Sequence, residues 1–212
     1  MHLLTGEEIK ASMADKPARG LFVDPLLDPG QIASSGIDLR LGYDFLVGVT
    51  TRRPSFDLRP PASDQPRGIA SYFQETRRDL GDKFVLYPNQ VVLTTTLEYL
   101  CVPENMSVNL ETRSSLNRLG VHVGTSLQPG YTGCASLELF NHGHTPIELV
   151  VGARVVQARI FRLDATHAYL GKAPRKYVAN VRPEVSRILE DSELARLRAI
   201  WERNSNAGRD ID

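Results

Sequence analysis

The sequence predicts an all-β fold with a few short helices. Short alternating runs rich in Val, Leu, Ile, Tyr and Thr recur between Ser35 and Phe161. Turn residues punctuate them, at Pro88-Asn89, Pro103-Glu104-Asn105, Gln128-Pro129-Gly130 and Asn141-His142-Gly143. No internal repeat of about 20–50 residues is present, which leaves a sandwich, barrel or jelly roll.

The elements follow in order. Thr5 can cap a first helix, Glu8 can return the bond as a capping box, and Leu4 and Ile9 can staple its start. This helix should end by Ala14, before Pro17. A half-buried strand is expected at Ser35–Gly42. Further strands are expected at Tyr43–Val49, Lys83–Tyr87, Val91–Leu97, Ser107–Leu110, Ala135–Phe140, Ile147–Val151 and Arg154–Phe161. Residues 52–82 are polar and carry Pro54, Pro60, Pro61 and Pro66, the composition of a long surface excursion. A last helix should run from Asp191 to Asn204, capped by Asp191 or Ser192, with Leu194, Leu197, Ile200 and Trp201 on one face. The expected division is one domain over residues 1–190, then a helix and disordered tail over 191–212.

Composition narrows the function. With 212 residues and 42% hydrophobic content the chain can bury one sizeable core. Its 25 basic and 25 acidic residues cancel, so no overall field favours a nucleic-acid polymer, although a small phosphate ligand needs only a few local cations. Cys101 and Cys134 form no CxxC motif, which suits a reducing, cytoplasmic setting. The opening MHLLTGEEIK contains no long apolar stretch, so neither a signal peptide nor a membrane span is expected.

Several chemistries lack their residues. There is no H-x-E paired with P-C-x-x-C, so no nucleobase-deaminase zinc site is expected. There is also no P-loop, no G-x-G-x-x-G after a strand and no G-x-S-x-G elbow. Hydrolytic chemistry must then come from side chains alone. Three segments can supply them. In Glu111-Thr112-Arg113-Ser114-Ser115-Leu116-Asn117-Arg118-Leu119-Gly120, two hydroxyls and two arginines can bind phosphate oxygens, or can simply form a capped helical turn with solvated arginines. In Ala135-Ser136-Leu137-Glu138-Leu139-Phe140-Asn141, alternation puts Glu138 and Ser136 on one face, either as a reactive pair or as ordinary surface residues. The run Gly152 to Phe161 reads as a structural strand. His142 and His144 read as loop residues, since no third ligand has suitable spacing. His122 can touch a base or serve structure, and Asp38 with Arg40 reads as a buried pair.

Taken in order, SSGIDLRLG, FVLYPNQVVLTTTLE, RSSLNRLG, PGYTGCASLELFNHG and GARVVQARIFRL resemble the dCTP deaminase family of the dUTPase superfamily. The likeness covers roughly residues 1 to 190, including Tyr169, Lys176-Tyr177, Pro183 and Ser186-Arg187. RSSLNRLG together with Glu138 resembles the deaminase branch rather than plain dUTPases.

The resemblance implies a distorted β jelly roll of the dUTPase-like β-clip type, forming homotrimers with active sites between subunits. It implies a deoxynucleoside triphosphate substrate carrying Mg²⁺ on its phosphates. Arg113, Ser114, Ser115, Tyr169 and Lys176 would bind phosphate. Gln128, Ser136, Leu137 and Asn180 would also line the substrate site, Asn180 standing where the family has glutamine. Glu138 would be the general base and acid of hydrolytic dCTP deamination, with Ser114 and Arg118 holding the water. Desolvation would raise the Glu138 pKa and Arg118 would oppose that. Gln128 replaces the family's aspartate, and an amide cannot act as a base, so efficient dUTPase activity is not expected. Thr112 replaces a glycine, and the base-reading hairpin between Gly120 and Pro129 is shortened by about three residues against the family pattern. A pyrophosphatase, or an inactive nucleotide-binding regulator, is the alternative.

Overall fold

A computed structural model describes residues 1–15, 20–50, 58, 68–164, 177 and 179–207. The chain begins with β1 (His2–Leu3), α1 (Gly6–Met13), β2 (Phe22–Asp24), β3 (Ile32–Ala33), β4 (Gly36–Arg40) and β5 (Asp44–Gly48). It continues with β6 (Phe73–Arg77), β7 (Lys83–Leu86), β8 (Val91–Cys101), β9 (Met106–Thr112) and α2 (Ser114–Asn117). The last elements are β10 (Val121–His122), β11 (Gly124–Leu127), β12 (Thr132–Asn141), β13 (Ile147–Val150), β14 (Arg154–Arg162) and α3 (Ser192–Ala207).

The predicted all-β class holds. One six-stranded sheet has the order β11-β9-β14-β4-β3, with β1 added on β14. A second has the order β10-β12-β8-β5-β6, with β2 added on β8. β13 and β7 form a separate ribbon. Alternation drives the layering: Leu137 and Leu139 of β12, Val156 and Ile160 of β14, and Leu110 of β9 are buried in one core. Phe45 and Phe84 stack within it with centroids 4.0 Å apart. Thr5 and Glu8 form the expected capping box, with Leu4 and Ile9 buried beside it.

By chain contacts the molecule divides into two units, Met1–Gly48 with Gln74–Glu184, and Val49–Phe73 with Val185–Asp212. In the second unit α3 carries an Arg198–Glu202 ion pair of 2.7 Å. Its Leu197, Ile200 and Trp201, expected on an anchoring face, are exposed. No helix among the described residues is long and apolar enough to cross a membrane.

Four expectations need correction. β4 is covered on both faces, because the 3₁₀ turn Pro29–Gln31 lies over its polar side and Gln31 Nε2 donates to the Asp38 carbonyl at 3.0 Å. The excursion at 52–82 contains β6, an edge strand with one aromatic residue and no alternation to betray it. The expected base-reading hairpin is no hairpin, since β10 pairs with β12 and β11 pairs with β9, so the chain changes sheet between them. Asp38 and Arg40 are not partners: Arg40 reaches Gln31 and the Gly152 carbonyl, and Asp38 turns to other arginines.

Candidate functional site

The placement of Glu138 starts with a bulge. β12 runs antiparallel to β8, and the register slips between Cys134 and Ser136. At the slip the Ala135 N–H donates to Thr96 Oγ1 at 2.9 Å, replacing a ladder bond. A one-residue shift exchanges the faces of every later side chain. Leu137 and Leu139 therefore enter the core, while Ser136, Glu138 and Phe140 occupy the accessible face. Glu138 stands opposite Leu93 in the ladder. Its side chain keeps solvent access, yet the protein packed around it removes enough water to raise its pKa. Its own backbone N–H pulls weakly the other way. Arg118 is not among the groups that shift this carboxyl within the chain. The predicted wet face is present, while the Leu137 side chain is fully buried, leaving only its main chain for a ligand.

Beyond Glu138 on the same face, Phe140 pairs in register with His122 of β10. His142 joins them, with centroids 4.4 Å from Phe140 and 5.9 Å from His122. His142 lies just past the end of β12, as its reading as a loop residue expects, and strand register brings it together with His122 and Phe140. Cys134 offers no nucleophile, because burial pushes its thiol pKa up to about 11, with the charge of Glu98 adding to the effect.

The arginine–serine segment forms the single helical turn α2, with Arg113 at its cap position. Ser114, Ser115 and Arg118 are exposed. Arg113 is not a free surface residue. Its Nε lies 3.2 Å from Asp38 Oδ2, and its Nη1 donates to the Arg154 carbonyl at 3.3 Å. Thr112 Oγ1 accepts from the Val123 N–H at 2.6 Å, which pins the main chain where it passes from β10 to β11. A glycine at this position would have no side chain to do this. Among the described residues no hydrogen bond or ion pair joins Glu138 to Ser114 or Arg118 within the chain.

Gln128 begins the turn into β12, and its carbonyl accepts from the Tyr131 N–H at 3.1 Å. Gly130 takes the positive φ of 76° that this Pro-Gly turn requires. The tail returns beside it: Ala179 N–H donates to Thr132 O and Cys134 N–H donates to Asn180 O, each at 2.8 Å. Gly133 permits the approach, since a Cβ there would meet Asn180 main-chain atoms at 3.0 Å. Asn180 Nδ2 is buried with no hydrogen-bond partner among the described residues. Gln128 and Asn180 therefore come to the start of the Glu138 strand. Tyr169 and Lys176 lie outside the described residues.

One ionisable group escaped the sequence reading. Glu98 is fully buried. Its Oε1 accepts from Gln31 Nε2 at 2.8 Å and its Oε2 from the Arg40 N–H at 2.9 Å. Burial raises its pKa against the pull of these donors. No group of three His, Cys, Asp or Glu suited to a metal occurs among the described residues.

Comparison with known proteins adds identity to this geometry. The dCTP deaminase-like family profile matches residues 3–163. The chain is 36% identical over 201 residues to a protein of Methanobrevibacter smithii named "dCTP deaminase, dUMP-forming", covering 92% of this chain and 99% of that one. It is also 36% identical over 179 residues to a "dCTP deaminase" of Haloarcula marismortui, covering 82% and 89%. The crystal structure of 2'-deoxycytidine 5'-triphosphate deaminase from Agrobacterium tumefaciens superposes with a TM-score of 0.55 at 26% identity, over 74% of this chain and 47% of that one.

Proposed function

The chain belongs to the dCTP deaminase-like family, and we propose that it hydrolyses the 4-amino group of dCTP to give dUTP and ammonia. The observation that carries this reading is Glu138, an accessible carboxyl with a raised pKa on the open face of β12. Glu138 takes a proton from water as the oxygen attacks C4 of cytosine. It returns protons to N3 and to the departing amine, which leaves as ammonia while C4 becomes a carbonyl. A carboxyl poised nearer neutrality is suited to both transfers.

Ser114 and Arg118 hold the water and the developing charge. Because neither touches Glu138 within one chain, the proposed assembly is a homotrimer in which they come from a neighbouring subunit. Arg113, Ser115, Tyr169 and Lys176 take the triphosphate, and Gln128, Ser136, Leu137 and Asn180 take the sugar and base. The donors on α2 are cations and hydroxyls rather than carboxylates, which fits Mg²⁺ arriving on the nucleotide. Bound there, the ion would offset phosphate charge. The proposed setting is the cytoplasm.

The test is incubation with dCTP and Mg²⁺, following ammonia and pyrophosphate. Ammonia without pyrophosphate is expected, because the Gln128 amide cannot activate a second water. The name of the Methanobrevibacter smithii relative favours the other product, dUMP. Equimolar pyrophosphate would establish that reading instead.

A pH profile is the second check. Glu138 must be ionised to accept the first proton, so activity falls as pH drops through its pKa. With that pKa raised, the acid limb of kcat/KM should lie above the ordinary glutamate value of about 4.3. A limb at or below that value would remove Glu138 as the base.

A further inference from the structure

We propose that Asp38 is a positioning residue that fixes the Arg113 guanidinium for the phosphates of the nucleotide. The inference rests on Arg113 binding phosphate in the reading above. Asp38 sits on β4, hydrogen-bonded between β14 and β3, and is only 7% exposed. A carboxylate so placed is retained only when paired. Two guanidinium groups approach the same oxygen, Arg113 Nε at 3.2 Å and Arg154 Nη1 at 3.7 Å. Gln157 Nε2 lies 3.5 Å from the other oxygen.

The bulge between Arg154 and Val156 brings Arg154 into this position, and its Nη1 also donates to Gly30 O at 3.2 Å. Two cations around one carboxylate leave a net positive charge, which is receptive to an anion. Arginine carries five N–H donors. The Asp38 ion pair and the Arg154 carbonyl engage Nε and one Nη1 proton of Arg113, while its side chain remains 34% exposed. The fork is thus held from behind with donors still accessible. Without the Asp38 charge, Arg113 and Arg154 repel each other, and an arginine in a surface turn must be ordered anew at each binding event.

The test compares wild type, Asp38→Asn, Arg113→Gln and the double variant. For each, KM and kcat with dCTP, the inhibition constant of inorganic triphosphate, and the melting temperature are measured. Asp38→Asn should raise KM and the triphosphate constant together by about tenfold, the scale of a hydrogen bond to a charged group, with kcat within about threefold. It should add nothing once Arg113 is glutamine. Unchanged KM and triphosphate inhibition in folded Asp38→Asn, or an equal effect with and without Arg113, would overturn the proposal. If Asp38→Asn does not fold, Asp38→Glu keeps the charge and moves it by one methylene. The same paired rise is then expected, and unaltered constants would again overturn the proposal. A wild-type chain that neither converts dCTP nor binds triphosphate would remove the functional reading and the positioning role with it. A working wild type matched by Asp38→Asn removes the positioning role alone.

Discussion

Replacing Glu138 by glutamine should lower kcat for dCTP deamination by about a thousandfold, the middle of the range for a general acid–base group. The amide keeps the size of the side chain but can neither accept the proton of the attacking water nor return it. KM should change little, because the lost interaction belongs to the transition state. Stability should also hold, since the Glu138 side chain makes no hydrogen bond or ion pair to another residue among the described residues and faces outward from β12. The measurement is ammonia release, with the dCTP-induced rise in melting temperature as the control for binding. Activity within a few-fold of wild type would exclude Glu138 as the proton carrier. Mixing Glu138→Gln chains with Arg118→Gln chains sharpens the result. If each site takes these residues from different subunits, mixed trimers contain some intact sites and recover activity that neither variant has alone.

Much of this was legible because strands encode their faces locally. The alternation of Ser136, Leu137, Glu138 and Leu139 named both the buried and the open side of β12. Thr5 and Glu8 named the helix start. The reading stopped where partners are distant in sequence. Asp38 and Arg40 share a face two residues apart, so a local pair looked natural. The ladder of β4 with β14 and β9 instead brings Arg113 and Arg154 to Asp38. The hairpin expected between Gly120 and Pro129 came from the family resemblance, yet Thr112 fixes a crossing between sheets there. Glu98, within a run of threonines and apolar residues, has the sequence signature of a surface glutamate. Its burial is imposed by Gln31 and Arg40, 67 and 58 residues away.

Glu98→Ala should therefore be the most damaging change outside the apolar core, costing about 3 kcal/mol of folding stability at neutral pH. The Arg40 N–H would lose its acceptor, and Gln31 Nε2 would keep only the Asp38 carbonyl. A buried void would remain as well. The pH dependence has a definite sign. Because the folded pKa of Glu98 is raised above the unfolded value of about 4.3, the folded state holds the proton more tightly. That contribution is complete below the unfolded value and fades as pH rises through the folded pKa. The gap between wild type and Glu98→Ala should accordingly be widest in acid and narrow toward neutrality, as read by urea unfolding across that window. A gap that widens with pH would mean that the donors, and not burial, dominate the carboxyl. The effect should also reach the candidate site. Thr96 Oγ1 donates to the Glu98 carbonyl at 2.8 Å and accepts from Ala135, so the same hydroxyl that anchors Glu98 holds the bulge that turns Glu138 outward. Loosening one end of that link should lower activity before the protein unfolds.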